Sequence, residues 1–252
     1  MGQPTPRVDA FNPTEVLMGR QQMPEGSFLD FLDRSLWPLF VQEWGLDART
    51  YTQGQTLPIG TGDELVFIVL GGCTVQERFP FGRGPGAPVI ARFRGVGQLL
   101  GEAKLIDPSS SVQTVCLSTT WVMPCPVDRM NLLLKRRGRI QLALLQSLEA
   151  RHRSDEAIYC TTNRTPLERI SALLLHLATI AGTKEPDDAG RVTITGPRQH
   201  DLAKTLLLGK STVESAVANL RKRHGVVESK YRQLVVTDMD KLRSIVSPAR
   251  PS

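Results

Sequence analysis

Two short amphipathic helices joined by a tight turn, within residues 198–223, constrain this chain more than any other feature of its sequence. Apolar residues at helical spacing mark the buried face of each predicted helix: Leu202, Ala203 and Leu206 on the first, and Val213, Ala216, Val217 and Leu220 on the second. Pro197 suits the first position of the first helix, Gly209 suits the turn, and Gly225 suits the end of the second helix. The pattern predicts a helix-turn-helix.

The outer face of the second helix is polar where the helix begins and basic where it ends, at Arg221–Arg223. A helix that enters the major groove of DNA needs polar tips near its N-terminus and cations that reach phosphates. Residues 226–236 predict two short strands around a polar tip, which is a β-hairpin wing beside the helix. We interpret the segment as a DNA-binding element. A helical hairpin with a merely solvated outer face is the alternative.

Positive charge is concentrated in the same region. Between residues 190 and 232 there are nine Lys or Arg residues and three acidic residues, a net charge of +6 that equals the net charge of the whole chain. The remainder of the chain is therefore close to neutral. This concentration of cations favours the binding of phosphates.

Length and composition bound the class of protein. A chain of 252 residues with 40% hydrophobic residues can hold one large or two ordinary domains. The N-terminus lacks the apolar region of a secretory signal, and the apolar stretch 170–182 is too short to span a bilayer. We expect no membrane partner, no metal site and a cytoplasmic location. The cysteines form no CxxC pair and are expected to be buried thiols: Cys73, Cys116, Cys125 and Cys160.

The residue composition and pattern change along the first half of the chain. Residues 28–44 predict short helices with a bend at Pro38. From Thr50 to Met123, glycines separate short runs rich in Val, Ile, Thr and Phe, which predicts the many strands of a β-sandwich or barrel. Residues 79–88 predict an irregular Gly- and Pro-rich loop.

Helical periodicity returns at Val127–Lys135 and continues along a long helix from Arg139 to about Thr161. The apolar positions of the long helix keep no strict heptad, so a pure coiled coil is not expected. Thr165-Pro166 predicts the capped start of a further helix that runs to Ala181. A polar loop is predicted over residues 184–190.

In this order the parts resemble the cyclic-AMP receptor protein / fumarate-nitrate regulator (CRP/FNR) family of bacterial transcription factors. Tyr51–Gly54 and Gly62–Val75 resemble the strand-turn signature of a cyclic-nucleotide-binding β-roll. Gly97–Glu102 resembles the entry to the family's phosphate-binding cassette. Asp201–Leu207 and Ser211–Val213 resemble its helix-turn-helix core. The similarity covers roughly residues 28–240.

The resemblance implies an α+β fold with an N-terminal β-roll, a long dimerisation helix and a C-terminal winged helix-turn-helix. It also implies a homodimer that binds an inverted repeat in double-stranded DNA, with RNA polymerase as a partner if the protein is an activator. The implied division of the chain is a flexible arm (1–26), a β-roll sensor-like domain (27–137), the dimerisation helix (138–162), the winged domain (163–247) and a tail (248–252).

Residue roles follow from the same resemblance. The base-reading positions are Lys210, Ser211 and Ser215, which depart from the Arg-Glu…Arg set of better-known members, and for Lys210 a phosphate contact is the alternative. Contacts to the DNA backbone are expected from Arg198, His200, Lys204, Thr212, Arg221, Lys222 and Lys230. The dimer interface is expected at Leu145, Leu148, His152 and Tyr159, with packing on the β-roll as the alternative for the two leucines.

The candidate effector pocket consists of Gly101, Glu102, Lys104, Ser110 and Ser111, and it departs from the family pattern. In nucleotide-binding members the Glu accepts from the ribose, and a downstream Arg-Ser or Arg-Thr pair completes the neutralisation of the phosphate. Here no arginine follows Glu102 before Trp121, and serine hydroxyls are weaker partners for an anion.

Two other arginines precede the cassette. Alternation along Arg92-Phe93-Arg94 places both opposite Phe93, and we expect them to face outward. Entry of one of them, or of Lys104, into the pocket as a replacement cation is the alternative. Cyclic-AMP binding is therefore not expected. The pocket is predicted to be empty, collapsed or filled by a less anionic ligand.

Other sensors and activities find no support in the residues. Residues 1–72 contain no cysteine for an iron–sulfur cluster, and no histidine precedes His152. The sequence shows no nucleophile–base pair, no paired carboxylates and no HExxH motif, so the chain is not expected to be an enzyme. The alternative to a DNA-binding regulator is a small-molecule-binding module whose C-terminal domain docks a protein partner.

Overall fold

The structure is a computed structural model that describes residues 12–78, 89–159, 163–185 and 188–246. The predicted loop over 79–88, the predicted end of the long helix at Thr161, the boundary at 162, Cys160 and the tail from 248 lie outside the described residues. Cys73, Cys116 and Cys125 are buried free thiols, as predicted.

Short N-terminal helices begin the described chain: α1 (Pro13–Leu17), α2 (Phe28–Phe31), a 3₁₀ turn (Arg34–Leu36) and α3 (Trp37–Trp44). The prediction of a flexible arm over residues 1–26 is corrected from Pro13 onward, because Val16 is buried and its carbonyl accepts from Trp37 Nε1 at 3.0 Å. Pro38 lies in the first turn of α3, where its missing N–H costs no hydrogen bond.

Eight strands then form a roll of two antiparallel sheets with the orders β1-β8-β3-β6 and β2-β7-β4-β5. The strands are β1 (Arg49–Tyr51), β2 (Thr56–Leu57), β3 (Leu65–Gly71), β4 (Thr74–Arg78), β5 (Ile90–Arg94), β6 (Leu99–Leu100), β7 (Gln113–Cys116) and β8 (Thr120–Pro126). Side chains on β3 alternate between two cores. Phe67 and Val69 pack between the sheets, whereas Val66 and Ile68 pack under the N-terminal helices.

Three helices follow the roll: α4 (Val127–Arg136), α5 (Gly138–Tyr159) and α6 (Pro166–Ala181). At its 22 residues, α5 is roughly 33 Å long. The predicted capped start of α6 is confirmed, since Thr165 Oγ1 accepts from the Glu168 N–H and the Glu168 carboxylate accepts from the Thr165 N–H.

The C-terminal part is a winged helix-turn-helix. Its elements are β9 (Gly182–Glu185), β10 (Asp188–Thr195), α7 (Gln199–Leu206), α8 (Lys210–Asn219), a π-helical turn (Leu220–His224), β11 (Val227–Lys230), β12 (Gln233–Val236) and α9 (Met239–Val246). The strands form one antiparallel sheet of order β11-β12-β10-β9. The predicted wing is present. Of the predicted polar loop over 184–190, residues 184–185 lie instead in β9 and residues 188–190 in β10, and residues 186–187 lie outside the described residues.

The winged domain packs on the outer face of the sheet that contains β4 and β5. Val75 and Phe93 belong to the same buried cluster as Leu173 of α6 and Leu206 of α7. The backbone joins the two domains as well, because the Val96 N–H donates to the Ile180 carbonyl at 3.0 Å. The sensor-like roll and the winged domain therefore share a continuous core.

Candidate nucleic-acid interface and ligand pocket

The turn between α7 and α8 is made by a residue that sequence reasoning did not select. Leu207 adopts the left-handed conformation at φ 53°, whereas Gly209 has φ −64° and precedes the first residue of α8. Arg169 of α6 donates from Nη2 to the Leu206 carbonyl at 2.6 Å, which ties the end of α7 to α6. Pro197 precedes the helix, and Arg198 is its N-cap.

Helix α8 presents the polar face that the sequence predicted. Val213, Ala216 and Val217 are buried, whereas Lys210, Ser211, Glu214 and Ser215 are exposed. Lys210 Nζ lies 3.7 Å from the Glu214 carboxylate one turn away, and Thr212 is half-buried. An open groove of about 430 Å³ runs beside α8 and is lined by Pro166, Leu167, Ser211, Thr212, Ser215 and Asn219.

A basic exit follows the helix. Arg221, Lys222 and Arg223 are exposed on the π-helical turn, while Leu220 of the same turn is buried. Gly225 at φ 65° then ends the turn, a left-handed position that favours glycine. The exit therefore places three exposed cations at the C-terminal end of α8.

The other predicted phosphate contacts differ in their surroundings. Arg198, His200 and Lys230 are exposed. Lys204, however, points at the β-roll, where its Nζ lies 2.6 Å from the Glu77 carboxylate. At the wing tip Tyr231 is 84% exposed, and no sequence pattern singled it out.

A stripe of exposed residues runs along α5 at alternating spacings of three and four, which places them on one face of the helix: Leu142, Leu145, Glu149, His152 and Glu156. This stripe contains two of the residues predicted for the dimer interface, Leu145 and His152. The other two are engaged within the chain. Leu148 packs with the core under the N-terminal helices, and the Tyr159 ring lies under the Arg92 guanidinium at 3.8 Å.

The candidate pocket begins at Gly101, whose φ of 77° and contact with Ile59 leave no room for a side chain. Glu102 follows it and is buried. Its Oε1 accepts from Arg151 of α5 at 2.5 Å and lies 3.5 Å from Arg78 of β4. Burial raises the pKa of the Glu102 carboxyl, but the Arg151 and Arg94 guanidiniums outweigh burial and bring the pKa below its usual value. Glu102 is therefore an anion that is already paired.

The expected outward orientation of Arg92 and Arg94 is wrong. Both lie on the face opposite Phe93, but it is Phe93 that packs with the winged domain, and the two guanidiniums lie beside Asp155 of α5. Arg94 is 5% exposed and donates to both carboxylate oxygens of Asp155, at 3.2 and 3.0 Å. The cassette lacks the arginine of the family pattern, but three arginines from other elements lie near Glu102 or Asp155: Arg78 on β4, Arg94 on β5 and Arg151 on α5.

The remaining pocket residues do not converge on Glu102. Lys104 is buried and donates from Nζ to the Gly60 carbonyl at 2.8 Å. Ser110 is half-buried and Ser111 is exposed in the loop before β7. The cavity beside Glu102 and Arg151 has a volume of about 10 Å³, room for about one water molecule.

Sequence reasoning missed a row of buried polar side chains on the same face as Arg92 and Arg94. Gln76 lies directly across from Arg92, and Thr74 lies directly across from Arg94. Among the described residues, Thr74 Oγ1, Gln76 Nε2 and Thr114 Oγ1 are buried without a hydrogen-bond partner. Unpaired buried polar atoms are costly, so such a row is suited to hold a polar ligand.

Comparison with solved structures identifies the fold. TTHA1359, a transcriptional regulator of the CRP/FNR family from Thermus thermophilus, is similar with a TM-score of 0.60 and 21% identity, over 81% of this chain and 100% of that chain. FixK2 from Bradyrhizobium japonicum is similar with a TM-score of 0.61 and 16% identity, over 80% of this chain and 98% of that chain.

A further regulator of the CRP family from Thermus thermophilus, TTHB099, is similar with a TM-score of 0.63 and 16% identity, over 81% of this chain and 98% of that chain. No protein-family model and no curated protein sequence matches this chain. The chain has the fold of the CRP/FNR transcriptional regulators, as the sequence resemblance predicted.

Neither a membrane-spanning helix nor a metal-binding cluster occurs in the described part of the chain. None of its helices is long and apolar enough to cross a membrane. Its His, Cys, Asp and Glu side chains form no group of three or more that could hold a metal ion.

Proposed function

We propose that this chain is a sequence-specific transcription regulator that binds double-stranded DNA. The observation that carries the proposal is the surface of α8, where an exposed polar start is continuous with the basic exit Arg221–Arg223. A helix of this kind, flanked by a wing, has the shape and charge needed to enter a major groove and contact its phosphates. RNA polymerase is the expected partner if the regulator is an activator.

We infer that the regulator acts as a homodimer through the exposed stripe on α5. Leu142 and Leu145 are 55% and 56% exposed, and two copies of the stripe would cover each other's apolar part. Each winged domain follows the C-terminal end of its own α5. Two parallel copies of α5 would therefore carry both recognition helices to one side, where an inverted repeat with half-sites about one helical turn apart fits them.

Selection of bound sequences from a random duplex pool by the full-length protein tests this function. The expected product is a pair of inverted half-sites whose centres are about 34 Å apart. A protein that enriches no sequence would contradict DNA recognition. Enrichment of a single half-site without a dyad would contradict the dimeric mode alone.

Lys210 is expected to read a base, and Lys222 is expected to contact phosphate. Lys210→Ala should weaken binding to the selected site by about 1–3 kcal/mol with little effect on random duplex. Lys222→Ala is the matched control, since it removes the same charge and should weaken both duplexes alike. Fluorescence anisotropy titrations with the two duplexes measure the difference. Equal losses on both duplexes for Lys210→Ala would assign it to the backbone instead.

We infer that DNA binding does not require cyclic AMP. The ribose-binding carboxylate of the family pattern, Glu102, is paired with Arg151, and Arg94 is paired with Asp155. A cyclic nucleotide has to break or rearrange these internal pairs, which oppose its entry. Arg78, Arg94 and Arg151 supply positive charge from β4, β5 and α5. The missing cassette arginine is therefore no longer a reason to expect a less anionic ligand.

Calorimetry with cyclic AMP and cyclic GMP, together with DNA titrations in the presence and absence of each, tests the sensor. The expected result is no micromolar binding of either nucleotide and unchanged affinity for the selected duplex. Micromolar binding that also tightens DNA binding tenfold, about 1.4 kcal/mol of coupling, is the opposite outcome. In that event Arg151→Gln and Arg94→Gln identify which guanidinium meets the phosphate.

A further inference from the structure

The β-roll holds a cation that the proposed function assigns to DNA. Lys204 lies on α7, the first helix of the helix-turn-helix, and its ammonium is 2.6 Å from the Glu77 carboxylate on β4. The Glu77 side chain is 14% exposed and the Lys204 side chain is 39% exposed. Because the pair is partly shielded from water, salt screens it less than it screens a fully exposed pair.

A second contact joins the wing to the roll. Arg232, at the tip between β11 and β12, donates from Nη1 to Gln53 Oε1 at 3.1 Å, and Gln53 lies between β1 and β2. The wing and α7 are the two elements that flank the recognition helix. Both therefore touch the roll through a cationic side chain.

We propose that Glu77 is an intramolecular competitor of DNA, which occupies Lys204 and holds the winged domain docked on the roll. The proposal rests on the function proposed above, in which α7 contacts phosphates. The ammonium of Lys204 cannot remain on the Glu77 carboxylate and move to a phosphate at the same time. Binding to DNA through Lys204 thus requires this ion pair to be exchanged, which lowers the affinity of the docked arrangement.

The position of Glu77 on β4 links this contact to the candidate pocket. Side chains alternate along the strand, so Gln76 and Arg78 face the opposite side of the sheet from Glu77. Arg78 is near Glu102, and Gln76 belongs to the row of buried unpaired polar groups. A ligand that binds Gln76 or Arg78 shifts the backbone of β4, which also carries Glu77. Ligand binding in the pocket would in this way change the distance, and so the strength, of the Glu77–Lys204 ion pair.

Removal of the competing carboxylate is the test. In full-length Glu77→Gln, binding to the selected duplex should tighten about two- to fivefold, because partly exposed ion pairs contribute at the scale of those factors. The dependence of log affinity on log salt should also become steeper, by up to about 0.9, since a freed lysine adds one phosphate contact. Thermal unfolding of each variant verifies that it is folded.

Two further variants separate this effect from a change of net charge. Glu64→Gln removes an exposed acidic charge from the same domain without freeing Lys204, and it should leave DNA affinity within about 1.5-fold of wild type. In a Lys204→Ala background, Glu77→Gln should have no effect, because the competed cation is gone. The double-mutant cycle therefore isolates the pair.

Each remaining outcome contradicts either the competition by Glu77 or the DNA-binding function on which it rests. Wild-type affinity in Glu77→Gln, or equal tightening in Glu64→Gln, overturns the competition while DNA recognition stands. Tightening by Glu77→Gln that persists in Lys204→Ala assigns the effect to another cation and also overturns it. Failure of the wild-type protein to bind any duplex contradicts the proposed function itself.

Discussion

At the scale of single residues, close opposite charges accompany Glu102 and Arg94 in the roll, whereas the buried Lys104 ammonium is held by a backbone carbonyl. Glu102 is paired with Arg151, and Arg94 is paired with Asp155, so the cost of taking each ion out of water is offset by a close partner. Some neutral polar groups nearby lack a hydrogen-bond partner, since Gln76 Nε2 is buried without one.

His176 on α6 is a further buried residue whose ionisation affects stability. Its Nδ1 lies 3.3 Å from Ser154 Oγ, and its Nε2 is buried without a partner. Burial lowers the pKa of His176 to about 4, with a further contribution from the Arg94 guanidinium that the Asp155 carboxylate opposes. His176 is therefore neutral in the folded protein at pH 7.

The depressed pKa predicts a specific loss of stability in acid. Between about pH 6.5 and pH 4 the unfolded chain binds a proton at His176 that the folded chain does not bind, so the free energy of unfolding falls as the pH falls. His176→Gln should remove about 3 kcal/mol of this pH dependence. Urea unfolding at a series of pH values measures it, and His152→Gln, on the exposed stripe, is the control. An unchanged slope in His176→Gln would be the contrary result.

At the scale of elements, α5 has two faces with different tasks. Ile140, Ala143 and Leu144 pack against the core under the N-terminal helices, and Arg151 and Asp155 pair with Glu102 and Arg94 of the roll. The opposite face exposes Leu142 and Leu145, although exposed leucines at helical spacing are unfavourable in water. A second copy of the same helix is the partner that we infer for this face.

Charges placed in the stripe should therefore dissociate the dimer without unfolding the chain. Leu142→Glu/Leu145→Glu should sediment as a monomer, because like charges would face each other across the seam. The matched control is Leu132→Glu on α4, a leucine that is 39% exposed and lies off the stripe. Sedimentation velocity with circular dichroism distinguishes dissociation from unfolding. A folded double variant that remains dimeric would remove this face from the interface.

At the scale of the whole molecule, the winged domain and the roll are one packed unit. The close approach depends on Gly95, where an added Cβ would lie 2.1 Å from the Ile180 carbonyl oxygen. Since that oxygen accepts from the Val96 N–H, neither backbone segment can move away without loss of a hydrogen bond. The contact fixes the end of α6 against the strand that carries Arg94.

Gly95→Ala should loosen this docking. Overpacking against backbone costs about 1–3 kcal/mol, which corresponds to a fall in Tm of roughly 2–12 °C for a chain of this size. Gly138→Ala is the control, because an added Cβ at Gly138 meets nothing within 4 Å. Calorimetry gives the two melting temperatures. A Gly95→Ala protein as stable as wild type would contradict the requirement for glycine at this contact.

Local patterns in the sequence predicted the elements and their order. Helical spacing and caps located α6, α7 and α8, and glycine-punctuated runs of β-branched residues located the roll, because these signals depend on neighbours within a few residues. The order of those elements was enough to identify the fold that the solved structures share. The candidate DNA-binding face also followed from the sequence, because the buried and exposed sides of one helix are set by its period.

The tertiary structure decided which long-range partner each side chain meets. Arg92 and Arg94 were expected outside, yet the winged domain covers the Phe93 face and the arginines meet Asp155 of α5 on the other face. Alternation tells two faces of a strand apart but does not say which is covered. Likewise Lys204 met Glu77, which is 127 residues away in the chain. Pairings of this kind depend on how whole domains pack, and no local period encodes them.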